Sequence, residues 1–437
     1  MGNIRIGMIG CGVVGQGIMR LLKENAPSIE GRLGGKIEVK RIVAQDKSKD
    51  RGPFVPESLL TYDAGELLSD PNIDIVVEVM GGVEPAYGHL KRALEAGKSV
   101  VTANKALLAA RGHELIELAE ARGADLYFEA AVAGGVPVIR VLREAFASDR
   151  ISAVRGIING TSNYILSRMT EAGMDFGVAL KEAQQKGYAE ADPTLDVGGG
   201  DAAHKLAILA MLAYGAKLQL SQISTDGIDQ VSATDIAFAR RFGYVVKPLS
   251  IARQLQDGSL DLRVHPALVS QKSVLASVNG ALNAVYIEGA AVGPCLLSGL
   301  GAGAMPTAVS VVSDIVDVGR NLQSEAGGRV PQRAFHGDSV KVPRVQNVDE
   351  HRCRFYLRFA VLDRSGVLGK LASTLGQHNV SIEQMVQEVV HDQSKSPVSV
   401  VMLTHPAREG DVKAALRDIG GMDIVAEPTR ALRIEDT

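Results

Sequence analysis

Apolar positions in the first third of the chain switch repeatedly between short runs and a helical spacing. "IRIGMI" (4–9) is a compact apolar run that leads into glycine, and "VVGQGIMRLLKE" (13–24) repeats its apolar positions with a helix period. "KIEVKRIVA" (36–44) alternates like a strand. "IDIVVEVM" (73–80) and "SVVTA" (99–103) are β-branched runs of the kind found in buried parallel strands, and "DLYFEA" (125–130) is one more strand. Amphipathic stretches at 84–98 and 106–123 lie between them. This alternation predicts an α/β fold over residues 1–135: a doubly wound parallel sheet with helices on both faces.

The rhythm changes near residue 137. "ISAVRGIIN" (151–159) reads as a strand, followed by helices at 162–172, 175–186 and 201–214. A helix at 232–243 starts on Ser232, with Asp235 three residues later as in a capping box. "YVVKPLSIARQL", "SLDLRVHPAL" and "NAVYIEG" predict a second sheet with one exposed face. Residues 136–323 are therefore expected to form an α+β domain for substrate binding, catalysis and dimerisation. The helix at 305–322 is expected to pack back on the first domain. Residues 324–350, rich in Gly, Pro, Arg and Asp without a period, predict a linker. From 351 to 437 the pattern is β-α-β-β-α-β, a ferredoxin-like module; its second strand is "VSIEQMVQEVV" (380–390).

Composition narrows the function classes. The 437 residues are 46% hydrophobic, enough for a large core, but only 4% aromatic and without Trp, so base-stacking platforms are not expected. A net charge of −3 with no basic run argues against nucleic acid. Cys11, Cys295 and Cys353 are too dispersed for a disulfide framework or zinc site. No apolar run reaches the roughly 20 residues of a membrane span, and no signal-peptide pattern opens the chain. A soluble cytoplasmic protein is expected.

Three stretches carry chemistry. Gly10, Gly12 and Gly15 form G-x-G-x-x-G between the first strand and first helix, where the turn and helix N-terminus suit a pyrophosphate; a tight turn without a ligand is the alternative. In the Rossmann-type reading Val13, Val14, Thr102 and Lys105 also border the cofactor. At the end of the second strand Asp46 suits the ribose 2′-hydroxyl of NAD, whereas Lys47 or Lys49 suits the 2′-phosphate of NADP. "EAAVAGGVP" (129–137) is either a tight turn or a loop whose free carbonyls ligate a monovalent cation.

The third stretch is "GYAEADPTLDVGGGDAAHK" (187–205). Asp201 and Lys205 share a helix face and form either a surface ion pair or part of a substrate site. The glycines at 198–200 allow Glu190 and Asp196 to converge on the helix start and hold an ammonium group. A divalent metal is the rival, but no His completes a ligand set and Lys205 would repel a cation. Lys105, just past a strand end, either meets a ligand or is an ordinary first-turn residue, with Asn104 as the helix cap.

These segments together with "GIINGTSNYILSRM" (156–169), "VVTANKALLA" (100–109) and "GLGAGAMPTA" (299–308) resemble the homoserine dehydrogenase family, of the form with a C-terminal ACT domain. The resemblance spans nearly the whole chain. It implies reversible reduction of L-aspartate 4-semialdehyde to L-homoserine, usually with NADP(H), in threonine, methionine and isoleucine biosynthesis. Lys205 then resembles the proton donor and Lys105 a second catalytic or substrate-orienting lysine near the nicotinamide; Asp201, one turn from Lys205, would keep it charged and oriented. Glu190, Asp196 and Lys205 resemble the substrate-binding set. Gly301 and Gly303 resemble a second backbone approach to the cofactor. Glu129, Val132, Gly134 and Val136 resemble a sodium-binding loop. Gln45 stands where relatives often carry an arginine, which leaves NADP or NAD open. "DRSGVLGKLASTLGQHNVSIEQM" (363–385) resembles the ACT signature and implies an amino-acid effector, threonine first, or dimerisation alone. A homodimer or homotetramer is expected. An amino-acid dehydrogenase acting at an α-amine and a cofactor-sensing regulator without turnover are the alternatives.

Overall fold

The computed structural model describes residues 2–387 and 397–435. The chain forms two compact units, each from three stretches: Met1–Gly160, Asp201–Ile223 and Leu282–Pro343 in the first, Thr161–Gly200, Ser224–Ala281 and Arg344–Thr437 in the second. Compactness thus divides the chain differently from the sequential partition at 135, 323 and 350.

The first unit is built on a six-stranded parallel sheet: β1 (Ile4–Ile9), β2 (Ile37–Val43), β3 (Leu60–Thr61), β4 (Ile75–Glu78), β5 (Ser99–Thr102) and β6 (Leu126–Tyr127), in the order β3-β2-β1-β4-β5-β6. Order reverses beside β1, the point at which open α/β sheets place ligands. Ile6, Met8, Ile75, Val77 and Val101 are fully or almost fully buried. Each contributes roughly 1.5–3 kcal/mol by leaving water. Helix Ala304–Gln323 lies on helix Val13–Glu24; its Val311, Ile315 and Val318 join Ile4, Ile18 and Ile42 in one core. A Cβ at Gly17 would stand 2.7 Å from the Ala304 carbonyl, so glycine sets that close crossing.

Strands Ile151–Ile157, Leu282–Gly289 and Gly293–Leu300 form an antiparallel sheet in the same unit. Helix Gly200–Tyr214 is buried from Asp201 to Ala213 apart from His204. The expected linker is not a free tether over its first part. Gly328 donates to Asp125 (2.9 Å), Gln332 to the Ala124 carbonyl (2.8 Å), and buried Arg333 to Glu120 (2.6 Å). Charged residues rarely enter a core, but Arg333 does so with its carboxylate supplied.

The second unit holds a sheet in the order Tyr244–Gln254, Leu260–Ser270, Val425–Glu435, Arg352–Val361, Val398–Thr404, Ile382–Gln387. From Arg352 onward the elements follow β-α-β-β-α-β, with helices Val367–Gln377 and Glu409–Gly420. The last three residues of the strand expected at 380–390 lie outside the described residues. The Ser232–Asp235 capping box is present, and Asp235 also accepts from Arg358 Nε (2.6 Å) and the Tyr356 hydroxyl (3.0 Å).

The one-exposed-face expectation fails for strand Leu260–Ser270, which is buried at every position but the last. Its charges are paired instead. Arg263 donates to Asp261 and to Glu435, 2.7 Å each, and its Nη1 lies 3.0 Å from His265 Nε2. The His265 proton therefore belongs on Nδ1, 3.2 Å from the Pro266 carbonyl, and burial lowers its pKa so that it stays neutral.

Candidate active site

Beyond the C-terminal ends of β1, β4 and β5 the first unit has a cavity of about 330 Å³. Three backbone turns shape it. After β1, Gly10 has φ of +103°, and a Cβ there would lie 2.8 Å from the Val79 and Met80 backbone. A Cβ on Gly15 would lie 2.7 Å from the Gly10 carbonyl, whereas one on Gly12 would meet nothing within 4 Å. The turn therefore offers bare backbone and a helix N-terminus to open space, which fits the pyrophosphate of a dinucleotide. Val14 lines the cavity, while Val13 is exposed and not in its lining.

The opposite wall comes from Gly134, Gly301 and Gly303. A Cβ on Gly134 would stand 2.5 Å from the Gly301 carbonyl, and one on Gly301 would overlap the Asn283 amide. The third turn follows β4. Buried Glu78 accepts the Met80 and Gly81 N–H groups (2.8 and 3.1 Å) and the Thr102 hydroxyl (2.6 Å). Thr102 is fully buried and does not line the cavity; its hydroxyl fixes Glu78.

At the end of β2, Asp46 accepts from the Ser48 amide and hydroxyl, Lys47 stands 4.8 Å over the Tyr62 ring, and Gln45 is exposed. Arg51 was not singled out in the sequence. It donates to the Cys11 and Asp46 carbonyls, 2.7 Å each, so its guanidinium bridges the glycine turn and the β2 end.

The reactive groups meet at Asp201. Helix Lys105–Arg122 starts directly after β5, capped by Asn104, whose side chain accepts the Leu107 N–H. Its first residue, Lys105, reaches Asp201 Oδ1 at 2.9 Å. Lys205, one turn along helix Gly200–Tyr214, donates to Asp201 Oδ2 and to the Ile158 carbonyl at 2.8 and 2.7 Å. Asn159 donates to the same Oδ2 at 2.8 Å. Burial alone would push the Asp201 carboxyl up, but the two lysines outweigh it and hold it well below the usual carboxylate range. Lys205 is 8% exposed and lines the cavity, with two of its three N–H donors used. His204 is half-buried on another helix face.

The Glu129 side chain is anchored within the loop. Its oxygens accept the Ile139 and Arg140 N–H groups (2.9 and 2.8 Å), and its own N–H donates to Asp314 (2.7 Å). Burial, with the Glu129 charge adding to it, pushes the Asp314 carboxyl well above the usual carboxylate range. The Gly134 carbonyl accepts the Ser310 hydroxyl and the Val136 carbonyl the Val138 N–H, leaving one lone pair each. Among the described residues no cluster of His, Cys, Asp or Glu is arranged to hold a metal.

Glu190 and Asp196 belong to the second unit. Glu190 is exposed on the loop before the short helix Thr194–Val197; Gln184 donates to its carbonyl at 3.1 Å. Asp196 accepts the Thr161 hydroxyl at 3.2 Å, and Ser162 donates to its carbonyl at 3.0 Å. Asp192 is taken by the Thr194 amide and hydroxyl.

A glycine cradle beside two lysines on one buried carboxylate suits hydride chemistry at a carbonyl. Comparison with known proteins agrees. Residues 10–129 match the family model "Homoserine dehydrogenase, NAD binding domain", 137–316 match "Homoserine dehydrogenase", and 355–421 match the ACT domain. Homoserine dehydrogenases of Neisseria gonorrhoeae and Pseudomonas aeruginosa are 42% and 41% identical, each over 100% of this chain and 99% of their own. The crystal structure of a homoserine dehydrogenase from Thiobacillus denitrificans is 43% identical, with a TM-score of 0.94 over 100% of this chain and 99% of that one. A hyperthermophilic archaeal homoserine dehydrogenase solved with NADPH is 27% identical, with a TM-score of 0.62 over 72% of this chain and 98% of that one. No described helix is long and apolar enough to cross a membrane. The chain belongs to the homoserine dehydrogenase family, nicotinamide-dependent oxidoreductases, and carries a C-terminal ACT domain.

Proposed function

We propose that the protein interconverts L-aspartate 4-semialdehyde and L-homoserine with Lys205 as the proton donor. The observation that carries this reading is the single carboxylate, Asp201, gripping Lys105 and Lys205 at the cavity. The bound nicotinamide supplies or takes the hydride. As the aldehyde carbon gains hydride, its oxygen gains negative charge. The remaining N–H of Lys205 stabilises that charge and then transfers the proton. Asp201 keeps the lysine charged and aimed; Lys105 orients the substrate beside the cofactor. Purified protein should oxidise NADPH when given L-aspartate 4-semialdehyde, followed at the nicotinamide absorbance. Folded protein that turns over neither NADPH nor NADH would end this reading.

We infer that NADP is preferred. Arg51 and Lys47, both near the β2 end, supply the positive charge that Gln45 does not, and the archaeal relative bound NADPH. Arg51→Ala is expected to raise KM for NADPH by about tenfold, the scale of one charge-assisted hydrogen bond, and to leave KM for NADH within about twofold. Equal rises for both cofactors would assign Arg51 to the turn rather than to the phosphate.

The backbone carbonyls of Glu129, Val132, Gly134 and Val136 are proposed to hold Na+ through their remaining lone pairs. Exchange of sodium for choline should then lower activity reversibly, and unchanged rates across that exchange count against the site. At the ACT module, the loop Asp363–Gly366 borders a cavity of about 210 Å³, proposed to take threonine as a pathway end product. Action within threonine, methionine and isoleucine biosynthesis in the cytoplasm, as a homodimer or homotetramer, completes the proposal.

A further inference from the structure

Glu78 ends strand β4 directly behind the part of the cavity wall formed by Val79, Met80 and Gly81. It is fully buried. Gly81 and Gly82, at φ of +79° and +76°, curl the chain back over its carboxylate. Four donors reach it: the Met80 and Gly81 N–H groups at 2.8 and 3.1 Å, the Thr102 hydroxyl at 2.6 Å and the Asn104 side-chain amide at 3.5 Å. The Asn104 backbone N–H donates to the Thr102 oxygen at 3.0 Å, which leaves the hydroxyl proton for Glu78. A carboxyl met by four donors suits the anion. Each of these donors is neutral, so they hold the negative charge without cancelling it.

The cavity in front of that wall has two charged residues in its lining, Lys105 and Lys205, both positive. Asp201 offsets one of them. The buried acids Glu129 and Asp314 face Arg140 and Arg143 instead. His89, on helix Ala86–Glu95, has its pKa lowered by burial and so adds no positive charge at neutral pH. One lysine charge is thus left over at the cavity, and one carboxylate, Glu78, is left over behind its wall.

Hydride and proton must arrive at the same carbonyl group. The nicotinamide ring therefore belongs beside Lys205, on from the glycine turn that suits the pyrophosphate, and so against Val79–Gly81. This placement rests on Lys205 as the proton donor. The ring is a cation when oxidised and neutral when reduced. A surplus lysine charge disfavours the oxidised ring, and a buried carboxylate behind the wall offsets it, because little water screens charges across a protein interior.

We propose that Glu78 sets the charge balance of the cofactor site, stabilising the oxidised nicotinamide through the Val79–Gly81 wall and so favouring NADP+ over NADPH in binding. The test is calorimetric titration of the full-length protein with NADP+ and with NADPH, without substrate. Because no turnover is read, failure here leaves the proposed reaction intact, and a protein without turnover still reports both constants. Glu78→Gln keeps the shape and removes the charge. It is expected to raise Kd for NADP+ by about tenfold and to change Kd for NADPH by less than about twofold. Thr102→Val removes one donor and leaves the charge, so the ratio of the two constants should stay as in the unmutated protein. Equal rises for both cofactor forms in Glu78→Gln would make Glu78 a support for the turn and overturn the proposal. So would unchanged constants, or a shift of the ratio in Thr102→Val as large as that in Glu78→Gln. Should Glu78→Gln not fold, the unmutated protein decides: NADP+ is expected to bind no more than about tenfold weaker than NADPH, and a wider gap overturns the proposal.

Discussion

Lys205→Ala is expected to lower kcat by about 10²–10⁴, the usual range for loss of a general acid, while the Kd for NADPH changes by less than about twofold. The split follows from placement. The glycine turn after β1, which fits the phosphates of a dinucleotide, involves no atom of Lys205, whereas the Lys205 ammonium stands at the cavity. Lys205→Arg should not rescue activity, because a guanidinium keeps its proton through the pH range of the assay. Single-turnover reduction and fluorescence titration of NADPH, run on the same sample, separate the two quantities. Unchanged kcat would remove Lys205 from the chemistry.

Asp201→Ala is the second large effect, and it reaches stability as well as rate. It strands the buried Lys205 beside the Ile158 carbonyl and removes an acceptor of Asn159. Removing one partner of a buried ion pair costs about 3–5 kcal/mol, and the rate should fall by about 10²–10³ as both lysines lose their common anchor. Asp201→Asn retains the shape and isolates the charge. The folded-state pKa of Asp201 is depressed, so its charge contributes stability that is fully present above the unfolded value, about 3.9, and is lost as pH falls below it. The stability gap between the unmutated protein and Asp201→Asn should therefore be constant from about pH 5 to 8 and shrink below about pH 4. Urea unfolding across that range measures it; a gap that grows on acidification contradicts the assignment.

Local signals made much of this legible beforehand. β1, the glycine turn and the following helix have periods and spacings set by short-range sterics, so their positions follow from "IRIGMIGCGVVGQG" directly. Asp201 and Lys205 sit four residues apart on a helix, and their contact needs only that geometry. Lys105 was ambiguous because its partner is distant in sequence, and only the fold brings it to Asp201. Arg51 is silent in the sequence for a similar reason: its acceptors are main-chain carbonyls, which leave no mark on residue identity. Thr102 shows the converse. Thr102 is expected to border the cofactor, but the buried Glu78 beside it takes its hydroxyl. The charged positions of strand Leu260–Ser270 misled because alternation of polar and apolar residues normally marks a wet face, and here the pairs close within the core.

That same strand bears on how the C-terminal module can be manipulated. Truncation before residue 351 looks like a clean way to separate regulation from catalysis. It would remove Arg433–Glu435 from the edge of Leu260–Ser270 and take Glu435 away from Arg263. The remnant would leave Arg263 with Asp261 as its remaining carboxylate partner and uncover the strand edge at Ala267–Val269, a template for intermolecular pairing. Insolubility of such a fragment would report a torn sheet, and nothing about regulation. Point substitutions that leave Val425–Glu435 in register are the sound way to silence the module.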